Sequence, residues 1–488
     1  MGVSLNDLGQ TLKDQIYETV IGGGGEIEPL DPDTFLTFCQ PGLAFTADAF
    51  DFAAEGIAAA PTAEEQKVRG QHAYNFATLV DFVPDVGTAY SNERQAGQFK
   101  PDAQARLSEM YHQILRFSKV VDNELTEEEQ AKLDKFRKLL WTTETTKNLV
   151  TDEVEETTVE GPVLKAYNAK MAEYITAARE YNGKRVAHDA AVGAEGKAAV
   201  ADWQRNAQLY FLEVKAARDA WVSGGYRHEV DDMNAYINQV TQRSMKLWKQ
   251  ELLEAYDKAE MTAGDGEIPF RYTTLVPGDF AASEGWTGLG VSQASKRKSA
   301  ETSSTSWKAG GSVGWGGFSL GGEGGKTSSS SSEDLEVESF ELKLELTQVV
   351  LVKPWFYGEW FTNRGWTLEK GEGWFFDEMP SDGGTPPEGN FIGYPTQAVF
   401  ARNVEIKSAE LVEKLRKETS SMEAGGSAGW GPFKLKGSYA SSSTEETFDS
   451  IADDEFLRIP GIQLICFVNH LVGKAPNLAD GIDPEDLV

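Results

Sequence analysis

The chain has 488 residues, with 46 Lys plus Arg against 77 Asp plus Glu, so its formal charge is −31. That balance argues against nucleic acid as a partner, because counterion release needs clustered cations and basic runs such as Lys296-Arg297-Lys298 are three residues long at most. It also disfavours anionic membranes, while 40% apolar and 11% aromatic residues furnish cores and exclude global disorder.

Met1 to Asn6 lacks the basic and apolar blocks of a secretory signal, so synthesis in the cytoplasm is expected, with release only by lysis or a non-classical route. No stretch approaches 18 uncharged apolar residues. Cys39 and Cys466 stand too far apart in sequence for a disulfide framework and read as small buried hydrophobes.

In chain order, residues 1–100 read as an irregular segment of loops and short helices. Residues 101–262 read as an antiparallel helical bundle. Short helices are expected near Asp102–Val121 and Thr126–Trp141, the latter capped by Thr126 before Glu127-Glu128-Glu129. Tyr167, Tyr174 and Tyr181 recur every seven residues, and Trp203, Ala207, Tyr210, Val214, Ala217 and Trp221 follow at spacings of four and three. These are core seams between helices. A third helix carries Val230, Met233, Ile237 and Val240.

Glycine then becomes frequent and the period falls toward two, so residues 267–470 read as a mostly antiparallel β domain, giving an α+β protein. Long strands are expected at Glu336–Val352 and Leu457–Val468. Residues 471–488 read as an acidic soluble tail.

The most informative feature is a duplication. Ala309-Gly310-Gly311-Ser312-Val313-Gly314-Trp315-Gly316-Gly317-Phe318-Ser319-Leu320 recurs, 115 residues on, as Ala424-Gly425-Gly426-Ser427-Ala428-Gly429-Trp430-Gly431-Pro432-Phe433-Lys434-Leu435. In each copy the alternation changes phase across Gly316-Gly317 or Gly431-Pro432, the mark of a tight β-hairpin. The arms are drawn at 302–331 and 419–444. One face carries Trp307, Ala309, Val313, Trp315, Phe318 and Leu320 in the first arm. In the second it carries Met422, Ala424, Ala428, Trp430, Phe433, Leu435 and Tyr439. The charges Lys308, Glu323, Glu423, Lys434 and Lys436 all take the other face. A hairpin of this kind suits a membrane β-barrel or a half-buried packing surface.

Over residues 267–470, the succession of strand, Gly/Ser-rich arm, strand, strand, arm, strand resembles the layout of β-pore-forming proteins of the perforin and cholesterol-dependent cytolysin kind. That resemblance implies two inserting segments leaving one sheet.

Catalytic motifs carry less. Gly310-Gly311-Ser312-Val313-Gly314 and Gly425-Gly426-Ser427-Ala428-Gly429 match the nucleophile-elbow pattern, but no helix is expected to follow. Gly321 to Thr327 lacks the first glycine of a phosphate loop. His72, His112, His188, His228 and His470 are isolated, and Asp152 to Glu156 lacks calcium-loop spacing. The expectation is therefore a non-enzymatic protein without cofactor or metal that partners with itself, and in its sharpest form inserts two hairpins per subunit into a lipid bilayer as a pore. The alternative is a scaffold subunit whose hairpins pack on neighbours, and a hydrolase is a distant third.

Overall fold

The computed structural model describes residues 3–21, 33–85, 96–99, 105–122, 126–147, 154–189, 197–241, 244–263, 268–292, 315, 318–321, 327–329, 336–369, 379–384, 387–420, 426–440, 447–453 and 455–488. Ser4 accepts the Asn6 N–H (3.2 Å) and opens α1 (Leu5–Val20). Its apolar stripe, Leu5, Leu8, Leu12, Ile16 and Val20, is wholly buried. Next come β1 (Thr34–Phe45), α2 (Ala63–Leu79) and a short strand β2 (Ala96–Gln98). The first 100 residues, read from sequence as irregular with short helices, thus supply a four-turn helix and a long strand of the large sheet. Two things hide them: α1 buries Thr11, Lys13, Gln15 and Thr19 beside its apolar stripe, and β1 is broken by a bulge between Phe38 and Leu43 that contains Pro41-Gly42.

The helical half follows with α3 (Leu107–Phe117) and α4 (Glu127–Leu140). Glu129 N–H donates to the Thr126 hydroxyl (3.3 Å) and Thr126 N–H to the Glu129 carboxylate (3.1 Å), a capping box at the expected residue. A two-stranded ribbon, β3 (Trp141–Lys147) and β4 (Val154–Glu160), precedes α5 (Pro162–Asp189), α6 (Lys197–Gly224), α7 (Arg227–Thr241) and α8 (Met245–Lys258). The aromatic seams meet as their spacing predicts. Tyr167 and Tyr174 pack on Trp221 (ring centroids 5.3 and 5.5 Å) and Tyr181 on Trp203 (5.2 Å), which sets α5 and α6 antiparallel.

The sheet half contains β5 (Thr274–Val276), β6 (Thr287–Ser292), β7 (Phe318–Gly321), β8 (Thr327–Ser329), β9 (Glu341–Val352) and β10 (Gly393–Lys407). It continues with α9 (Ala409–Ser420), β11 (Ser427–Trp430), β12 (Phe433–Ser438), β13 (Thr447–Asp449), β14 (Ile451–Ala452) and β15 (Phe456–Leu471). The large sheet runs β6-β9-β10-β15-β1-β2, with β5 beside β9 and β14 beside β15. It is open, and antiparallel except where β1 meets β2. A second sheet runs β8-β7-β11-β12-β13. It packs with α1 and α9 on one face of the large sheet, while a phenylalanine cluster including Phe50, Phe76, Phe280 and Phe400 fills the other.

At the C-terminal end the acids Asp480, Asp483, Glu485 and Asp486 are exposed, but the segment is docked. Val488 and Val120 exchange both backbone hydrogen bonds (2.8 and 3.0 Å), and Leu487 is buried. Both cysteines are buried and free. Among the described residues no helix is long and apolar enough to cross a membrane.

Candidate functional site: two arms rooted in one row

Four neighbouring strands of the large sheet share one terminal row. Ser292 of β6 pairs with Glu341 of β9, Glu341 with Lys407 of β10, and Lys407 with Phe456 of β15. Segment 293–340 leaves and returns at this row, and so does segment 408–455. Each holds 48 residues, and each is centred on one copy of the repeat. The roots thus lie outside the bounds 302–331 and 419–444 suggested by composition.

The second arm folds as α9, β11, β12, β13 and β14. Trp430 sits opposite Phe433 across Gly431-Pro432, with Gly431 at φ +55°, a left-handed turn conformation that favours glycine. Ala428, Trp430, Phe433 and Leu435 are buried, while Ser427, Lys434 and Lys436 are partly exposed, as the alternation predicts. A bulge between Ala428 and Gly429 brings Ala428 opposite Lys436. From the first arm, β7 pairs with β11, Phe318 opposite Trp430 and Leu320 opposite Ala428, so the two copies of the repeat are neighbours in one sheet. Trp307, Ala309, Val313, Met422 and Ala424 lie outside the described residues, as do Ser312 and the Gly316-Gly317 turn. Ser427 opens a strand that turns into another strand, not the strand-to-helix elbow that a nucleophile of that motif requires.

Among the described residues, the uncharged face of the arms is covered within the single chain. Trp315, 2% exposed, stands edge-on to Phe38 of β1 (5.0 Å), and a Cβ at Gly9 of α1 would lie 2.6 Å from the Trp315 backbone, so only glycine admits this approach. Trp430 packs on Phe340 (5.8 Å), and the half-buried Tyr439 on Phe448 (5.0 Å). The tip of the second arm is seated in the bulge of β1, where Gly42 N–H donates to the Pro432 carbonyl (3.0 Å). Further along, Ala440 N–H donates to the Ala44 carbonyl (2.8 Å). The buried Gln463 amide grips Lys434 on both sides, accepting its N–H (2.8 Å) and donating to its carbonyl (2.7 Å). Desolvation pushes the Lys434 ammonium below its ordinary pKa.

Two acids hold the roots. Burial alone would push Glu410 up, but the N–H of Glu338 (3.0 Å) and the hydroxyl of Ser408 (3.0 Å) more than offset it and keep its carboxyl below the usual range. Since Glu338 closes the first arm and Glu410 opens the second, this carboxylate ties the arms together. At the far root, Asp453 accepts the N–H groups of Phe456 (2.8 Å) and Glu455 (3.1 Å), which hold it low in the same way. On the sheet face away from the arms a charged ladder runs along the row, pairing Arg458 with Glu405 (2.7 Å), Arg402 with Glu345 (2.8 Å) and Lys343 with Glu341 (2.8 Å).

Neither α9 nor the Gln463 grip was legible from motifs. The equal length of the arms and their centring on the turns could have been counted in the sequence once the strand ends were placed. Compared with protein-family models, curated proteins and solved structures, the chain finds no match.

Proposed function

We propose that the chain is a water-soluble precursor that oligomerises and inserts segments 293–340 and 408–455 into a lipid bilayer as two β-hairpins of a barrel pore, catalysing no reaction. One observation carries this reading: both arms start and finish in the single row Ser292–Glu341–Lys407–Phe456 of four adjacent antiparallel strands. Drawn out from there, they prolong one ladder. The physical balance is favourable. The described part of the apolar face is buried by α1 and the large sheet before insertion and would be buried by lipid after it, so little hydrophobic free energy separates the two states for those residues. Extended hairpins additionally pair their main chains with neighbouring subunits.

The scaffold alternative has less support. It needs an uncharged face presented to neighbouring subunits, and in the single chain Trp315, Phe318, Trp430 and Phe433 already lie in the core.

A lock tests the proposal. Ala44→Cys with Ala440→Cys joins β1 to the second arm at residues already linked by a backbone hydrogen bond. Both native thiols are buried and raised in pKa by desolvation, so they compete poorly. The oxidised variant is expected to lose dye release from neutral liposomes and to regain it with reductant. Release at the unmodified rate from the fully oxidised protein would overturn the reading.

A further inference from the structure

The register of the large sheet reaches beyond the row where the strands stop. At its arm end β10 pairs with β15 as Val404–Ile459, Glu405–Arg458, Ile406–Leu457 and Lys407–Phe456. The 24th residue after Lys407 is Gly431 and the 24th before Phe456 is Pro432, so the same register carried forward closes on the turn the second arm already makes, with Trp430 opposite Phe433. For β6 and β9 the register holds from Thr287–Leu346 to Ser292–Glu341. The 24th residue after Ser292 is Gly316 and the 24th before Glu341 is Gly317. Two independent ladders thus extrapolate, without slip, to the centres of two repeat copies. A one-residue error in either would invert its faces.

The faces agree as well. Val404, Ile406, Leu457 and Ile459 point into the core shared with α1, and alternation from them places Trp430 and Phe433 on that side. Leu289, Val291, Leu342 and Leu344 do the same for Trp315 and Phe318. On this side the second arm is free of charge from Ser420 to Trp430 and from Phe433 to Ser443, between Glu418 and Glu445, which the register sets opposite each other. Each of those runs spans 11 residues, against about 9–11 needed to cross a bilayer. The opposite side continues the charged ladder of Glu405 and Arg458, and onto it fall Glu423, Lys434 and Lys436.

Resting on the pore reading, we infer that the inserted second arm is an in-register continuation of β10 and β15 whose water-filled side bears Lys434 and Lys436 next to the tip, so that the pore prefers small anions. In the soluble fold the hairpin differs from this register by its single bulge at Ala428, and its lysines are held by the Ser438 carbonyl (2.8 Å to Lys434 Nζ) and by Asp449 (3.1 Å to Lys436 Nζ). Extension removes the bulge and frees both ammonium groups. Within the bounds 302–331 and 419–444 the five charges of the wet side, Lys308, Glu323, Glu423, Lys434 and Lys436, sum to +1 per subunit. Over the full 48-residue segments its charges balance to zero, so the preference rests on the two lysines nearest the far mouth.

The test is the reversal potential of bilayer currents across a KCl gradient. The unmodified protein is expected to prefer chloride, and Lys434→Glu with Lys436→Glu to reverse the sign. A second measurement does not depend on that variant folding. A charged, water-soluble thiol reagent should reduce the conductance of Lys436→Cys and leave that of Leu435→Cys unchanged. Sensitivity at 435 and not at 436, or an unchanged preference in the glutamate variant, would overturn the register while leaving the pore standing. Absence of any conductance from the unmodified protein would sink both.

Discussion

Gln463 shows how much one side chain contributes to keeping an arm folded back. Its two hydrogen bonds to Lys434 contribute about 0.5–1.5 kcal/mol each, but removing the amide leaves a main-chain N–H and carbonyl unpaired at a mostly buried position, about 1–3 kcal/mol apiece. The carboxylates at the roots add a dependence on acidity. Glu410 and Asp453 have folded pKa values below the ordinary ones, so their contribution is complete above the usual carboxylate range of about 4 and is lost as pH falls through the depressed folded values. Acid should therefore loosen both roots of the second arm. Tryptophan fluorescence and dye release followed from pH 7 to 3 should show arm release beginning in that acidic window, and Glu410→Gln with Asp453→Asn should show a smaller acid-dependent step. An identical acid profile in the double variant would remove these two groups from the account.

At the scale of elements, on the pore proposal, the second arm has a part that keeps its conformation and a part that changes. The hairpin of β11 and β12 has the same turn in the folded arm and in the extrapolated ladder, whereas α9 has to unwind for residues 408–420 to become strand. Its hold on the core is Leu411, Val412 and Leu415, and Glu413 lies on its exposed side. Replacing Glu413 by Gly instead of Ala removes the same charge in both variants but costs the helix about 1 kcal/mol, close to a fivefold change in the folded-to-unwound ratio. Glu413→Gly is expected to release dye several-fold faster than Glu413→Ala in a stopped-flow assay. Equal rates would mean that α9 stays helical through insertion. The same contrast explains what the sequence disclosed. The hairpin was readable because Trp430 and Phe433 flank two turn formers in strict alternation, and α5 and α6 because their aromatics keep a fixed seam. Less was visible of α9, where Glu410, Glu413, Lys414, Arg416 and Lys417 crowd a short apolar stripe, or of α1, whose burial on nearly all sides blurs its period. The row from which the arms depart belongs to four strands distant in sequence, and only the sheet brings them together.

For the whole molecule, charge and cover act together. A formal charge of −31 makes copies repel, and the described part of the apolar faces that would reward association, Trp315, Phe318, Trp430 and Phe433 among it, is already occupied inside each chain. At the arm end, the outer edge of β15 is itself occupied, since Ile451 and Ala452 of β14 pair there with Arg458 and Leu457. Those two residues belong to the second arm. On the pore proposal, extension of the arm makes them join the ladder as its continuation and vacate that edge, so lateral pairing between subunits is expected to follow arm release instead of preceding it. The expected behaviour is a single 53.5 kDa species in buffer at all practical concentrations and a discrete larger assembly with neutral liposomes. Because the repulsion between copies is screened over about 10 Å at 0.1 M salt, assembly on liposomes should become more efficient between 0.02 and about 0.5 M. Anionic lipid should suppress it most at the low-salt end. Sedimentation with and without liposomes across that salt range is the measurement. A salt-independent oligomer already present in buffer, with the arms still folded by the Ala44–Ala440 cross-link, would show that subunits associate through some other surface and would favour the scaffold.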